Sequence, residues 1–394
     1  MHRGGGSYIG LAQPLATAGF LEFPMTGSTT RIFLDHAATT NVLPEARAAM
    51  GRGFDAWANP SSPHAEGRKS RALLEEARAT LSDMLGWRHD VIFTSGASEA
   101  VEIAATRARI AGRAHGATEH AIVPHAMGPR SRVVPVGSDG LIDEQALDAV
   151  LAEGPALVAI QMVNNETGIL QPLDRLAPRI REAGSLLLAD CAQSASKYPL
   201  PDADFIALSA HKLGGPPGVG ALLVKDLGTL KPVGGQEKGY RRGTQDAPGA
   251  LAFAAALAAN PYDMGRLAAL RTRLDEGVKA AGGVVIGEAS PRLPTIGAIS
   301  LPAASSAALL VQFDLAGIAV SAGSACSSGK MKESAVLAAM AVAPEIAAGF
   351  LRISFGPCTT EAEVDAFLAE WARIAGRAAS SRSPSGGGAS KLVA

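Results

Sequence analysis

The sequence predicts an α/β fold, a large domain built on a mostly parallel, seven-stranded sheet with a smaller α+β domain at the C-terminal end. Three observations predict it. Short, nearly all-apolar runs alternate with amphipathic ones over the first two thirds of the chain, as strands buried on both faces do with the helices that cover them. Several of those runs end in clusters of polar residues, the arrangement by which open α/β sheets hold ligands at the carboxyl ends of their strands. From about Pro261 the pattern changes to long helices and short strands.

Taken in order, the expected strands are Val91–Thr94, Ala121–Val123, Arg132–Val136, Ala156–Val163, Ser185–Asp190, Asp204–Ser209 and Val219–Val224. Helices are expected near Ala97–Ala111, Asp143–Ala152 and Leu173–Ala183, then at Met264–Ala281 and Glu361–Ala378. The large domain is therefore placed at 31–260 and the small one at 261–378, with 31–50 reaching across to the small domain. Residues 1–30 read as a poorly ordered extension, and 379–394, with its Ser-Arg-Ser-Pro-Ser-Gly-Gly-Gly run, as a disordered tail. Organised sequence begins near Arg31, so Met25 competes with Met1 as the true start.

Composition narrows the function. Hydrophobic types make up 47% and charged types 19%, suited to large cores and unlike a disordered chain. With 36 basic and 37 acidic side chains the formal charge is −1, which argues against nucleic acid as the main ligand. No apolar run approaches the ~20 residues of a membrane helix. The three cysteines, Cys191, Cys326 and Cys358, lie far apart, with no metal spacing and an odd count, so a reducing, cytoplasmic location is expected and no metal.

The chemistry is carried by two strand ends. One apolar run ends in Asp190, and the next ends in Ser209-Ala210-His211-Lys212. A carboxylate and an amine facing one crevice suit pyridoxal phosphate: the lysine binds the cofactor's aldehyde, and the aspartate keeps the pyridinium nitrogen protonated. The plain alternative is an aspartate ending one strand and a surface lysine after another. Phe93–Glu99 ends a strand and opens a helix with Gly96, Ala97 and Ser98, which supplies either a phosphate cradle or only a well-capped helix start. Thr118-Glu119-His120 places an imidazole at a strand start, where it either stacks on a planar ring or serves the fold. Asn164–Gly168 again sets amide and carboxylate groups after an apolar run.

These segments belong to a longer ordered set: FLDHAATT (33–40), NPSSPHAEGRKS (59–70), FTSGASE, TEH, NNETGILQP (164–172), DCAQS, SAHKLGGPPGVGAL, GGQEKGYRRGT (234–244), SAGSACSSG (321–329) and LRISFG (351–356). From about Ile32 to Ala378 the chain resembles the class V, fold-type I pyridoxal-phosphate enzymes, and among them the cysteine desulfurases.

The resemblance implies roles position by position. Lys212 matches the lysine that binds the cofactor and moves the substrate's proton, and Asp190 the partner of the ring nitrogen. Gln193 matches the residue on the ring oxygen, and His120 the stacking imidazole. Ala97, Ser98, Ser209 and His211 match phosphate-binding positions. Thr244 matches a threonine that reaches the neighbouring subunit's phosphate, which implies a homodimer with shared sites. Asn165 matches a contact to cofactor and substrate, and Arg352 the clamp on the substrate carboxylate. Cys326 matches the cysteine that takes the sulfur as a persulfide.

Cys326 lies among Gly, Ser and Ala, so its loop is expected to be exposed and mobile, whereas Cys191 beside Ala189 and Ala192 reads as structural. The implied activity converts L-cysteine to L-alanine and hands sulfur to an acceptor, an iron–sulfur scaffold or a tRNA-thiolation protein. A selenocysteine lyase, a class V aminotransferase and a non-catalytic binding platform are the rival readings. The chain departs from the family pattern after LRISFG, where Pro357 and Cys358 replace a basic and an aromatic residue.

Overall fold

A computed structural model of the chain describes residues 31–302, 304–323 and 333–380. The first part runs β1 (Ile32–Phe33), α1 (Pro44–Phe54), α2 (Ala65–Met84), β2 (Asp90–Thr94), α3 (Ala97–Arg107), β3 (Gly112–Gly116), α4 (Ile122–Met127) and β4 (Arg132–Val134). It continues through α5 (Glu144–Ala152), β5 (Ala156–Gln161), α6 (Leu173–Glu182), β6 (Leu186–Asp190), β7 (Phe205–Ser209), β8 (Gly220–Val224) and α7 (Ala247–Ala259). The C-terminal part holds α8 (Met264–Ala280), β9 (Val284–Ile286), β10 (Ile296–Ser300), α9 (Ser306–Leu315), β11 (Ile318–Ala319), α10 (Ala335–Ala339), α11 (Pro344–Ala347), β12 (Phe350–Ser354) and α12 (Glu361–Ser380).

Seven strands form the main sheet in the order β2-β8-β7-β6-β5-β3-β4. Only β8 runs against its neighbours, β2 and β7, and every other pairing is parallel. Successive strand residues face opposite cores, which is why these strands are apolar throughout. Phe205, Ala207, Leu222 and Val224 pack with Ala100, Val101 and Ala104 of α3 on one face. Ile206, Leu208, Ala221 and Leu223 face a second core with Leu176 and Ile180 of α6 and Leu251 and Phe253 of α7.

Helix starts follow local chemistry. Asp143 accepts the amides of Gln145 and Ala146 at 2.9 and 3.0 Å, Asp246 that of Gly249 at 2.9 Å, and Asp263 that of Arg266 at 3.0 Å. Beyond α7 a three-stranded antiparallel sheet, β12-β10-β9, is backed by α8 and α12, with Phe313, Phe367 and Trp371 stacked behind it. The 32–35 segment ties into this part: β1 pairs with β11, and the Ser354 amide donates to the Leu34 carbonyl at 2.8 Å.

Two expectations are corrected. Ala121–Val123 is not a strand: Ile122 and Val123 open α4, where Val123 is buried against the α3 core. The strand lies instead at Gly112–Gly116, so Thr118–His120 follows a strand rather than starting one. Its small residues fit a tight slot, since a Cβ on Gly112 would lie 2.6 Å from the Pro155 carbonyl. Arg113 turns its guanidinium onto the carbonyls of Ala105, Ile110 and Ala108 near the end of α3.

Candidate active site

The carboxyl ends of β2, β3, β5, β6 and β7 converge on one cavity of about 510 Å³, closed from the far side by β12 and the 32–38 segment. Asp190 ends β6, and its Oδ1 accepts the Ala192 amide at 2.9 Å. Lys212 ends the 3₁₀ turn Ala210–Lys212 that follows β7, and both residues line the cavity. Burial, aided by the nearby charge of Arg352, lowers the Lys212 amine from its usual range, and Asp190 opposes that shift.

His120 lines the same space. The Ile122 amide donates to its Nδ1 at 3.3 Å, which leaves the ring proton on Nε2. Burial, with the positive charge of Lys212, lowers its pKa, against the pull of Asp190. The loop carrying it is clasped to β5: Glu119 Oε1 accepts the Gln161 amide at 2.8 Å, and Gln161 Nε2 donates to the Thr118 carbonyl at 2.5 Å.

Opposite lies the start of α3. As the first residues of a helix, Ala97 and Ser98 have amides without an intrahelical partner, and none of the described residues accepts from them. Ser98, Ser209 and His211 complete a lining of donors suited to an anion. Glu99 stabilises the turn by accepting the Ser95 amide at 2.5 Å and Arg241 Nε at 2.9 Å.

Arg352 of β12 forms the opposite wall. Its Nη1 donates to the Asn165 carbonyl at 3.1 Å and its Nη2 to Asp35 Oδ1 at 2.7 Å, while the buried Nε has no partner. The Ser321 and Arg352 backbones also exchange hydrogen bonds of 3.3 and 2.7 Å, which brings Ser321 and Gly323 to the rim. Beside Asn165, Glu166 Oε2 accepts Ser334 Oγ at 2.5 Å.

The structure thus gathers Lys212, Asp190, His120, Ala97, Ser98, Asn165, Ser209, His211 and Arg352 around one cavity. Gln193 stands behind the wall, its Nε2 donating to the Ala37 carbonyl at 2.9 Å and its buried Oε1 unpaired. Thr244 is exposed and outside this cavity. Cys326 lies outside the described residues. Cys191 is fully buried, and burial pushes its thiol far up. Among the described residues no cluster of His, Cys, Asp or Glu is arranged to hold a metal ion.

Asp35 is the functional neighbour that residue-by-residue reading missed. It sits in the FLDHAATT segment, but only the fold reveals that it faces Arg352, 317 positions away. The whole set fits pyridoxal phosphate. A buried amine with weakened proton affinity, a carboxylate one strand away and free amides at a helix start meet its aldehyde, ring nitrogen and phosphate.

The aminotransferase class-V family model matches residues 32–367. A cysteine desulfurase of Cereibacter sphaeroides is 36% identical over 363 residues, covering 86% of this chain and 94% of that protein. One of Bradyrhizobium diazoefficiens is 37% identical over 367 residues, covering 86% and 93%. Among solved structures, a NifS-like protein from Rickettsia africae superposes with a TM-score of 0.80 at 28% identity, over 87% of this chain and 99% of that one.

Proposed function

The chain belongs to the aminotransferase class-V family, and we infer that it is a pyridoxal-phosphate-dependent cysteine desulfurase, which converts L-cysteine to L-alanine and passes the sulfur to Cys326. The observation that carries the reading is the facing pair Lys212 and Arg352 across one cavity, with Asp190 and the open start of α3 beside them. Lys212 would bind the cofactor, Asp190 would hold its ring nitrogen, His120 would stack on its ring, and the amides of Ala97 and Ser98, with Ser209 and His211, would hold its phosphate. Gln193, anchored on Ala37, is assigned the ring oxygen.

Arg352 takes the substrate carboxylate on its remaining Nη protons, oriented by Asp35 and the Asn165 carbonyl. The Lys212 amine, which burial keeps from holding a proton tightly, accepts the Cα proton. Bound pyridoxal phosphate supplies the electron sink for the pair left at Cα. The Cys326 thiolate attacks the substrate sulfur, the Cβ–S bond breaks with its electrons staying on carbon, and protonation of Cβ together with return of a proton to Cα completes alanine. Cys326 is left as a persulfide, whose outer sulfur passes to an acceptor protein. Gly323 lies at the rim and Ser334 bonds Glu166, next to Asn165, and these two described residues flank Cys326 in sequence, which supports this role.

Thr244, exposed and away from its own chain's cavity, supports a homodimer in which it reaches the partner's phosphate. The same reading treats 31–260 as the cofactor-binding unit and 261–378 as the unit that brings Arg352 and Cys326 to it. No helix among the described residues is long and apolar enough to cross a membrane.

The test incubates the protein with pyridoxal phosphate, L-cysteine and a thiol reductant, and quantifies alanine and sulfide. Equimolar products that disappear in Cys326→Ala are expected. Products indifferent to Cys326 would instead indicate a lyase.

A further inference from the structure

Lys197, three residues beyond DCAQS, is only 8% exposed and forms no ion pair with any described carboxylate. Burying an ammonium group without a counter-ion is costly, so its surroundings must compensate. They are specific. Nζ donates to the backbone carbonyl of Lys212 at 3.1 Å and sits 4.8 Å above the ring of Tyr262. The Tyr262 hydroxyl donates to that same carbonyl at 3.4 Å.

The 3₁₀ turn bearing Lys212 is held through each of its carbonyls. Ala210 accepts the amides of Leu213 and Gly215, both at 3.0 Å, and His211 accepts that of Thr40 at 2.8 Å. Only the third carbonyl, that of Lys212 itself, is held by an amine. Burial, and then the charge of Lys212, bring the Lys197 amine down to about 7. The Lys212 charge therefore favours a neutral Lys197 amine, which still donates to the carbonyl.

Resting on the site reading above, we propose that Lys197 is a positioning residue for Lys212, its buried amine pinning the Lys212 carbonyl and so fixing the turn that presents the Lys212 amine to the cavity. The groups facing Lys212 are Asp190, Arg352, His120 and His211, and those facing Lys197 are Lys212, Tyr262 and His36. Of these neighbours, Lys197 alone combines an amine, nearly complete burial and a bond to the turn. A charge-free replacement leaves Asp190 and Arg352 in place and isolates its effect.

The experiment uses Lys197→Met and Lys197→Gln. The Gln variant keeps a donor for the carbonyl, so the measurement stands if the Met variant fails to fold. Borohydride reduction of cofactor-loaded protein and peptide mapping first identify the lysine that holds the cofactor. In cofactor-free protein, the rate of acetylation of that lysine by acetic anhydride is then followed against pH by peptide mass spectrometry. The Met variant, which lacks a donor for the carbonyl, is expected to change that rate about two- to tenfold, and the Gln variant to hold it nearer the wild type. The kcat for alanine should fall with KM nearly unchanged, because Arg352 is untouched. Acetylation rates and kcat that are the same in the wild type and both variants overturn the positioning role, whatever the variants do to stability. A different lysine trapped by borohydride overturns the site reading itself.

Discussion

Replacing Arg352 by lysine separates the planar fork from the charge. In the wild type, one Nη1 proton is used on the Asn165 carbonyl and one Nη2 proton on Asp35, while Nε–H is buried and unpaired. A guanidinium has five N–H donors, and with the two orienting bonds made and Nε–H buried, one proton on each Nη remains for a carboxylate. An ammonium group has three donors in all and no fixed plane, and cannot serve Asp35, the Asn165 carbonyl and both carboxylate oxygens together. At least one charge-assisted bond to the substrate is lost, at about 1.5–3 kcal/mol. The kcat/KM for L-cysteine should therefore fall about 10- to 150-fold, chiefly through KM. The assay compares alanine release from L-cysteine with turnover of its methyl ester, which keeps the amine and thiol but lacks the carboxylate charge. In Arg352→Lys the wild-type preference for the free acid should collapse while the ester rate stays nearly constant. A parallel loss on the ester would refute the reasoning, since Arg352 would then be holding the shape of the site rather than the carboxylate.

A Cβ on Gly220 would lie 2.4 Å from the Leu208 carbonyl and 2.6 Å from Gly96 Cα, both backbone atoms. Gly220→Ala should cost about 1–3 kcal/mol in urea unfolding and loosen cofactor retention on dialysis, because the clash shifts the start of α3; an unchanged midpoint and cofactor ratio would contradict this close approach. Burial, with the charge of Lys197, lowers the His36 pKa from 6.5 to about 4, so as pH falls the unfolded chain takes the proton first. The corresponding stability is whole above pH 6.5 and lost as pH falls towards 4, about 3 kcal/mol in all. His36→Gln should flatten that part of the pH–stability curve, and a retained slope would assign it to other groups. Thr244→Ala should weaken cofactor binding about tenfold, one hydrogen bond's worth. Mixing it with Lys212→Ala protomers should restore a wild-type affinity at the sites that combine Lys212 of one chain with Thr244 of the other, and no restoration would exclude shared sites.

How legible these features are depends on where the stabilising contacts lie. The central strands announce themselves because both of their faces are apolar, so Phe205–Ser209 and Gly220–Val224 need no partner to be recognised. Gly112–Gly116 has no such signal. Gly112 has no room for a side chain because β5 is close beside it, and the Arg113 guanidinium is received by carbonyls near the end of α3. Ala121–Val123 shows the converse: an apolar triplet is compatible with strand or helix, and Val123 packing on α3 decides for helix. Helix α2 buries Gly67, Ser70, Leu74, Ala77 and Leu81 at helical spacing, but its Gly and Ser blur the apolar stripe, and the nearly all-apolar α7, packed against α1 and α2, has no polar face to reveal its period.

The same division runs through the site. Residues whose side chains line the cavity stand in short motifs at strand ends, so Asp190, Lys212, His120 and Ser98 are readable by chemistry and place together. Residues that hold them are not, because a supporting role is a relation between distant segments. Asp35 becomes the orienter of Arg352 only when β12 is laid beside the 32–35 segment, and Glu166 becomes an anchor only through Ser334, 168 positions later. Lys197 is close in sequence to Asp190, yet its amine is directed at the carbonyl of Lys212 rather than at any carboxylate. A lysine so placed would be read from sequence as a surface residue, since that is where lysines usually lie. Its burial follows from the return of the chain through β7 and the 3₁₀ turn, and from Tyr262 at the head of α8 closing over it. The chemistry of this fold is therefore written locally, and its precision is supplied by contacts that exist only once both sheets have formed.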